Sequence, residues 1–101
     1  MKRGIVKTRK DIEKTLRKYK PSLREKFKVK AIGIFGSYVR REESEESDVD
    51  ILVEFCEPVG WEFIDLKEFL EQILGKEVDL VTAKALKPQI RDIILKEVVY
   101  A

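Results

Sequence analysis

Two aspartates set into an otherwise apolar run constrain this chain more than any other feature. In Ser47-Asp48-Val49-Asp50-Ile51-Leu52-Val53 the β-branched and aliphatic residues predict a strand from Val49 to Phe55. Successive side chains of a strand point to opposite faces. Asp48 and Asp50 therefore share one face, about 6.5 Å apart along the backbone, while Val49, Ile51 and Val53 face a core. Two carboxylates aimed at one point repel each other unless a cation sits between them. The pair is either an ordinary surface feature or part of a site for magnesium, which prefers hard oxygen ligands and completes its shell with water and phosphate oxygens; manganese fits the same ligand type.

Ten residues separate Ser37 from Asp48, and Gly36-Ser37 closes the apolar run Val29 to Phe35, itself read as a buried strand. Glycine lets the backbone approach an anion closely, and amides at a helix start point outward to receive one. Ser37 adds a hydroxyl donor. Arg40, one helical turn later, reaches a phosphate or pairs with the acidic loop that follows, Glu42 to Ser47. Gly36, Ser37, Arg40 and Ser47 are thus the candidate nucleotide-binding residues. A third carboxylate, Asp79, interrupts the short apolar strand Glu77 to Val81. It either joins Asp48 and Asp50 as a metal ligand that helps deprotonate an attacking hydroxyl, or is an edge-strand acid facing solvent. With three carboxylates, two ions about 3.5–4 Å apart could be held, one activating the attacking oxygen and one stabilising the leaving pyrophosphate.

Around these parts, Ile12, Leu16 and Tyr19 form a helical stripe behind a possible Thr8 cap, predicting a basic helix over about 8–20 that Pro21-Ser22 interrupts. Leu23 to Phe27 is a further turn. Ser37 to Arg41 predicts a short helix. After Pro58-Val59-Gly60, the spacing of Trp61, Ile64, Leu66, Phe69, Leu70, Ile73 and Leu74 predicts a helix that stops at Gly75. Pro88 to Val98 predicts a last helix with Ile90, Ile94, Leu95 and Val98 on its apolar side. Alternating strands and helices imply an α/β or α+β fold, a small mixed sheet flanked by helices. The 101 residues leave room for a single domain, 1–101, with its core over about 29–98.

Composition removes several chemistries. There is no histidine, so Ser-His and Cys-His catalysis are excluded, and the single Cys56 has neither a disulfide partner nor a zinc partner. Cys56 is expected to be a reduced, partly buried thiol. No apolar run approaches the roughly 20 residues needed to span a bilayer, which suggests a soluble, cytoplasmic protein without a membrane role. A charged fraction of 40%, no asparagine and only two glutamines resemble proteins of thermophiles. Residues 1–30 carry 13 Lys/Arg against 3 Asp/Glu, a net +10, and the remainder carries 8 against 16, a net −8. That basic half is read as a solvated helix face rather than a nucleic-acid surface, because aromatic residues for base stacking are sparse there.

The stretch GSYVRREESEESDVDILVEF resembles the signature of the minimal nucleotidyltransferases, small members of the DNA polymerase beta-like superfamily. Pro58-Val59-Gly60, Gly75-Lys76-Glu77-Val78-Asp79-Leu80-Val81-Thr82 and Ala85-Leu86-Lys87-Pro88 extend the likeness over roughly residues 30–98. One departure is Arg41, where the family commonly has glycine; its side chain is expected to point to solvent. The resemblance implies a nucleotidyltransferase fold, with Gly36 and Ser37 holding phosphates and Asp48, Asp50 and Asp79 holding magnesium. It also implies transfer of AMP from ATP to a hydroxyl. Many members act as the antitoxin of a HEPN-domain toxin, some by attaching AMP to a toxin tyrosine. The alternative is a non-catalytic antitoxin that neutralises a HEPN ribonuclease by occlusion.

A chain this short has little room to select an acceptor alone, so docking through a partner surface or an oligomer, homomeric or heteromeric, is expected. Trp61, Phe63 and Val98-Val99-Tyr100 are candidate contacts, though residues of this kind are more often core than interface.

Overall fold

The computed structural model describes residues 6–101; Lys2 and Arg3 of the basic segment lie outside the described residues. Helix α1 (Arg9–Phe27) starts at a reciprocal cap, in which the Thr8 hydroxyl accepts from the Asp11 N–H while the Asp11 carboxylate accepts from the N–H groups of Lys7 and Thr8. Such a cap satisfies amides that have no intrahelical partner. The helix runs through Pro21 without a break, against the interruption expected there. A proline inside a helix loses one hydrogen bond and crowds the carbonyl four residues back, a cost of about 3 kcal/mol. Pro21 lies on the exposed side, and Leu16 and Leu23 on either side of it are fully buried, so packing holds the helix across the defect.

Strand β1 (Val29–Phe35) leads into the single-turn helix α2 (Ser37–Arg40), and strand β2 (Val49–Phe55) follows the acidic loop. Helix α3 (Glu62–Leu74) ends at Gly75 as expected, with φ at 70° and its N–H bonded to the Glu71 carbonyl. Strand β3 (Val78–Thr82), a 3-10 turn at Ala83–Ala85, helix α4 (Pro88–Glu97) and strand β4 (Val99–Tyr100) complete the chain. The short β4 was not expected from sequence. It pairs with Gly33 and Ile34, where a Cβ on Gly33 would lie 2.6 Å from Val98, so only glycine admits this segment so close. The sheet order is β3-β2-β1-β4, with β2 and β3 parallel and β1 antiparallel to both neighbours. This is the mixed α+β sheet that the alternation of elements predicts.

The two faces of the sheet differ. Ile32, Ile34, Val49, Ile51, Val53, Val78 and Leu80 point to one face and are buried beneath Ile12, Leu16 and Leu23 of α1, Leu66, Leu70, Ile73 and Leu74 of α3, and Tyr38 of α2. Phe35 and Leu52 point to the other face, where Ile94 of α4 covers them in a smaller cluster. Asp50 lies directly opposite Phe35 and beside Asp79 in the strand register, so both acids belong to this thinly covered face.

Several side chains expected inside lie at the surface. Trp61 is 79% exposed because it precedes α3, which begins at Glu62, and Ile64 is exposed because the face of α3 turned to the core runs through Phe63 and Leu66 instead. Ile90 and Leu95 are exposed because α4 sits over only a narrow apolar patch, which Ile94 fills. Cys56 is exposed rather than partly buried, since β2 has ended at Phe55 before the chain leaves the sheet. Among the described residues no helix is long and apolar enough to cross a membrane.

Candidate active site

β1 delivers Gly36 at the end of the sheet beside Asp50. With φ at 77° and ψ at −148°, Gly36 occupies a conformation that L side chains rarely adopt. A Cβ there would also fall 2.1 Å from Asp50 Oδ2. Both the backbone angle and the close approach therefore require glycine. The Gly36 carbonyl accepts from the N–H groups of Val39 and Arg40, which closes the turn of α2. Ser37 and Tyr38 contribute the first amides of that helix, donors with no intrahelical carbonyl and hence available to an anion. The Tyr38 ring is buried and anchors the turn to the core.

Asp50 and Asp79 are paired residues of the parallel strands β2 and β3. Asp50 is half-buried, and its carboxyl is pushed up to about 6, first by burial and then by the negative charges of Asp79 and Asp48. A hydrogen-bond contact with Asp79 raises it further, and the charge of Arg40 pulls it down. Asp79 is exposed and stands on the edge strand, facing solvent while lying level with Asp50. Asp48, just ahead of β2, is exposed.

The donor set consists of carboxylate oxygens only, which suits a hard divalent cation. Among the described residues, however, no three acidic, histidine or cysteine side chains already converge as a metal cage. The exposed side chains of Asp48 and Asp79 would have to turn inward on binding.

Arg40 is engaged on both sides. Its Nε donates to Glu42 Oε1 at 2.6 Å and its Nη1 donates to Glu97 Oε1 at 2.8 Å. These two carboxylates hold the guanidinium charge above its ordinary proton affinity, Glu42 foremost. Ser47 closes its own loop: its Oγ accepts from the Ser44 N–H at 2.8 Å and lies 3.3 Å from Ser44 Oγ. Lys76 donates to the carbonyls of Ser44, Glu45 and Ser47 and sits over the Tyr38 ring, tying the loop before Asp48 to the start of β3. A groove of about 800 Å³ opens between this loop, Tyr38 and Lys76, with Asp48 in its wall. That volume falls in the range of ligand pockets. Arg41 is exposed, as expected, and adopts φ at 60° at the end of α2.

Glu97 escaped the sequence reading. Besides Arg40 it receives the Gly36 N–H on Oε2 at 2.9 Å, 61 residues away along the chain. One signal could have flagged it. An acid on the last residue of a helix opposes the helix dipole, so it gains nothing from its own helix and must find a partner elsewhere.

Comparison with known proteins agrees with this geometry. The family model described as a nucleotidyltransferase domain matches residues 16–101. The chain is 53% identical to the protein adenylyltransferase MntA of Thermococcus cleftensis over 94 residues, covering 92% of this chain and 95% of that protein. A solved structure, provisionally assigned as a minimal nucleotidyltransferase, superposes with a TM-score of 0.79 at 32% identity, covering 95% of this chain and 98% of the other. A tri-AMPylated HEPN toxin of Shewanella oneidensis in complex with its MNT antitoxin gives a TM-score of 0.64 at 22% identity, covering 88% of this chain and 70% of the matched one. The last likeness is one of fold.

Proposed function

This chain belongs to the nucleotidyltransferase domain family, with the minimal, MntA-type members as its relatives, and we propose that it moves AMP from ATP to a hydroxyl of a partner protein, a tyrosine of a HEPN toxin, and thereby acts as an antitoxin. The observation that carries this reading is the contact of the Gly36 turn with Asp50, itself level with Asp79, which puts anion-receiving amides beside a carboxylate pair. Relatives supply the rest of the support: the MntA protein is named for adenylyl transfer to protein, and the Shewanella complex joins an MNT antitoxin to an AMPylated HEPN toxin.

In this reading Gly36 and Ser37 would receive the triphosphate, and Asp48, Asp50 and Asp79 would hold magnesium. Bound there, two such ions would offset phosphate charge and favour the ionised acceptor hydroxyl. Asp79, the more exposed member of the strand pair, would draw the acceptor proton. Arg40 supplies positive charge at the mouth of the site, and Ser47 with Lys76 sets the loop from which Asp48 projects. The exposed Asp48 and Asp79 leave the acceptor side open, consistent with a substrate that arrives on another protein.

The test is incubation of the purified protein with ATP, magnesium and a HEPN-domain protein encoded beside it, followed by intact mass. Added AMP that disappears with Asp48→Asn is the expected result. A stable complex without mass change, and protection that survives Asp48→Asn, would replace catalysis by occlusion.

A further inference from the structure

We propose that Glu97 is a positioning residue for the nucleotide, a single carboxylate that ties helix α4 to both ends of the phosphate-receiving turn. One oxygen accepts the Gly36 N–H at the start of that turn, and the other accepts Nη1 of Arg40 at its end. The Glu97 side chain is only 15% exposed; its bond to the Gly36 N–H is partly buried, while its bond to the half-exposed Arg40 lies at the surface. The inference rests on the nucleotidyl-transfer reading above.

Three features argue for a role beyond holding α4 in place. Glycine is the residue with the widest choice of backbone conformations, and Gly36 sits at an angle that nothing in its own side chain can select. Glu97 selects it from outside, and because it takes up the Gly36 amide, the donors left for an anion are those of Ser37 and Tyr38. Arg40, half-exposed, would otherwise be a mobile side chain; with Glu42 on one side and Glu97 on the other, its guanidinium is held where its charge reaches Asp50. Finally, the carboxylate stands at the end of a helix whose dipole disfavours it. Its contribution must come from the turn and from Arg40, not from α4.

A nucleotide titration tests this without needing the acceptor. Wild type, Glu97→Ala, Glu97→Gln and Ile94→Ala would be titrated with magnesium and a non-hydrolysable ATP analogue, and each variant's folding checked by thermal melting. Glu97→Ala should weaken binding about tenfold, the size expected for losing charge-assisted hydrogen bonds. Glu97→Gln keeps an oxygen for the Gly36 N–H and should recover part of that loss. Ile94→Ala loosens α4 without touching the turn, and should lower the melting temperature while leaving the affinity of the folded protein at the wild-type value. Wild-type binding by Glu97→Ala, or equal weakening by Ile94→Ala, would overturn the inference and leave the proposed function standing. No binding by the wild type would overturn both.

Discussion

Asp50 and Ile51 are adjacent in sequence and lie on opposite faces of one sheet, and the contrast between them is the contrast between the two halves of this molecule. Ile51 is fully buried beneath α1 and α3, in a cluster where every neighbour is apolar. Asp50 is half-buried beside two other acids, under a face that α4 covers only in part. One face supplies stability and carries no chemistry; the other accumulates uncompensated charge that the first must tolerate. A 101-residue chain can do this because its helices are divided unevenly, two long ones over the apolar face and one short one over the acidic face.

The largest effect that would sharpen this contrast is on transfer. Under the proposed function, Asp50→Asn should lower the rate roughly a thousandfold, as expected for losing several kcal/mol of transition-state stabilisation, and transfer to a HEPN-domain protein encoded beside it measures this. Retained activity would place the chemistry elsewhere.

Next in size is the apolar face. Ile51→Ala should cost about 3–4 kcal/mol of stability in urea denaturation, and Ile94→Ala, from the smaller cluster, about 2 kcal/mol. In both, the fraction that remains folded should transfer at the wild-type rate. Equal costs would mean that the faces contribute alike to stability, and the contrast would fail.

A smaller effect has the opposite sign. In the folded, metal-free protein the Asp50 carboxyl binds its proton more tightly than at its ordinary value of 3.8, reaching about 6. An acid with a raised folded value leaves stability intact below about pH 4, erodes it between pH 4 and 6, and exerts its full penalty above that range. Asp50→Asn should therefore raise stability in chelator at pH 7, by about 1 kcal/mol once solvent screening of a half-exposed group is allowed for, and the gain should vanish near pH 4. Melting curves at the two pH values decide it; a gain independent of pH would point to packing instead of charge.

The smallest change concerns Arg41, which holds φ at 60° at the end of α2. A left-handed helix end favours glycine, so Arg41→Gly should stabilise by about 0.5–1 kcal/mol, less the extra freedom glycine has when unfolded. A lower melting temperature would show that the Arg41 side chain supports the acidic loop.

Much of the candidate site is legible in the sequence because it is local. A glycine at the end of an apolar strand, and two acids two residues apart in another, follow from the period of a strand and need no partner to be recognised. The helix through Pro21 was not legible, since a local rule predicts a break and only distant burial of Leu23 overrides it. Trp61, Ile64, Ile90 and Leu95 have helical spacing, but spacing reports which residues share a face and not how wide a surface waits beneath them.

By itself the sequence determined the succession of the three longer strands and the helices that follow them, the strand that carries Asp50 with Asp48 just ahead of it, and the glycine at the turn. These depend on properties of one residue and its near neighbours: alternation, helical period, the missing side chain of glycine. Only the tertiary structure decided that Asp79 stands level with Asp50, because that follows from the parallel register of strands separated by a whole helix. It alone decided that Glu97, 61 residues from Gly36, closes the turn. Contacts of that range depend on how helices and strands stack, and no pattern within a strand or a helix encodes the distance between two of them.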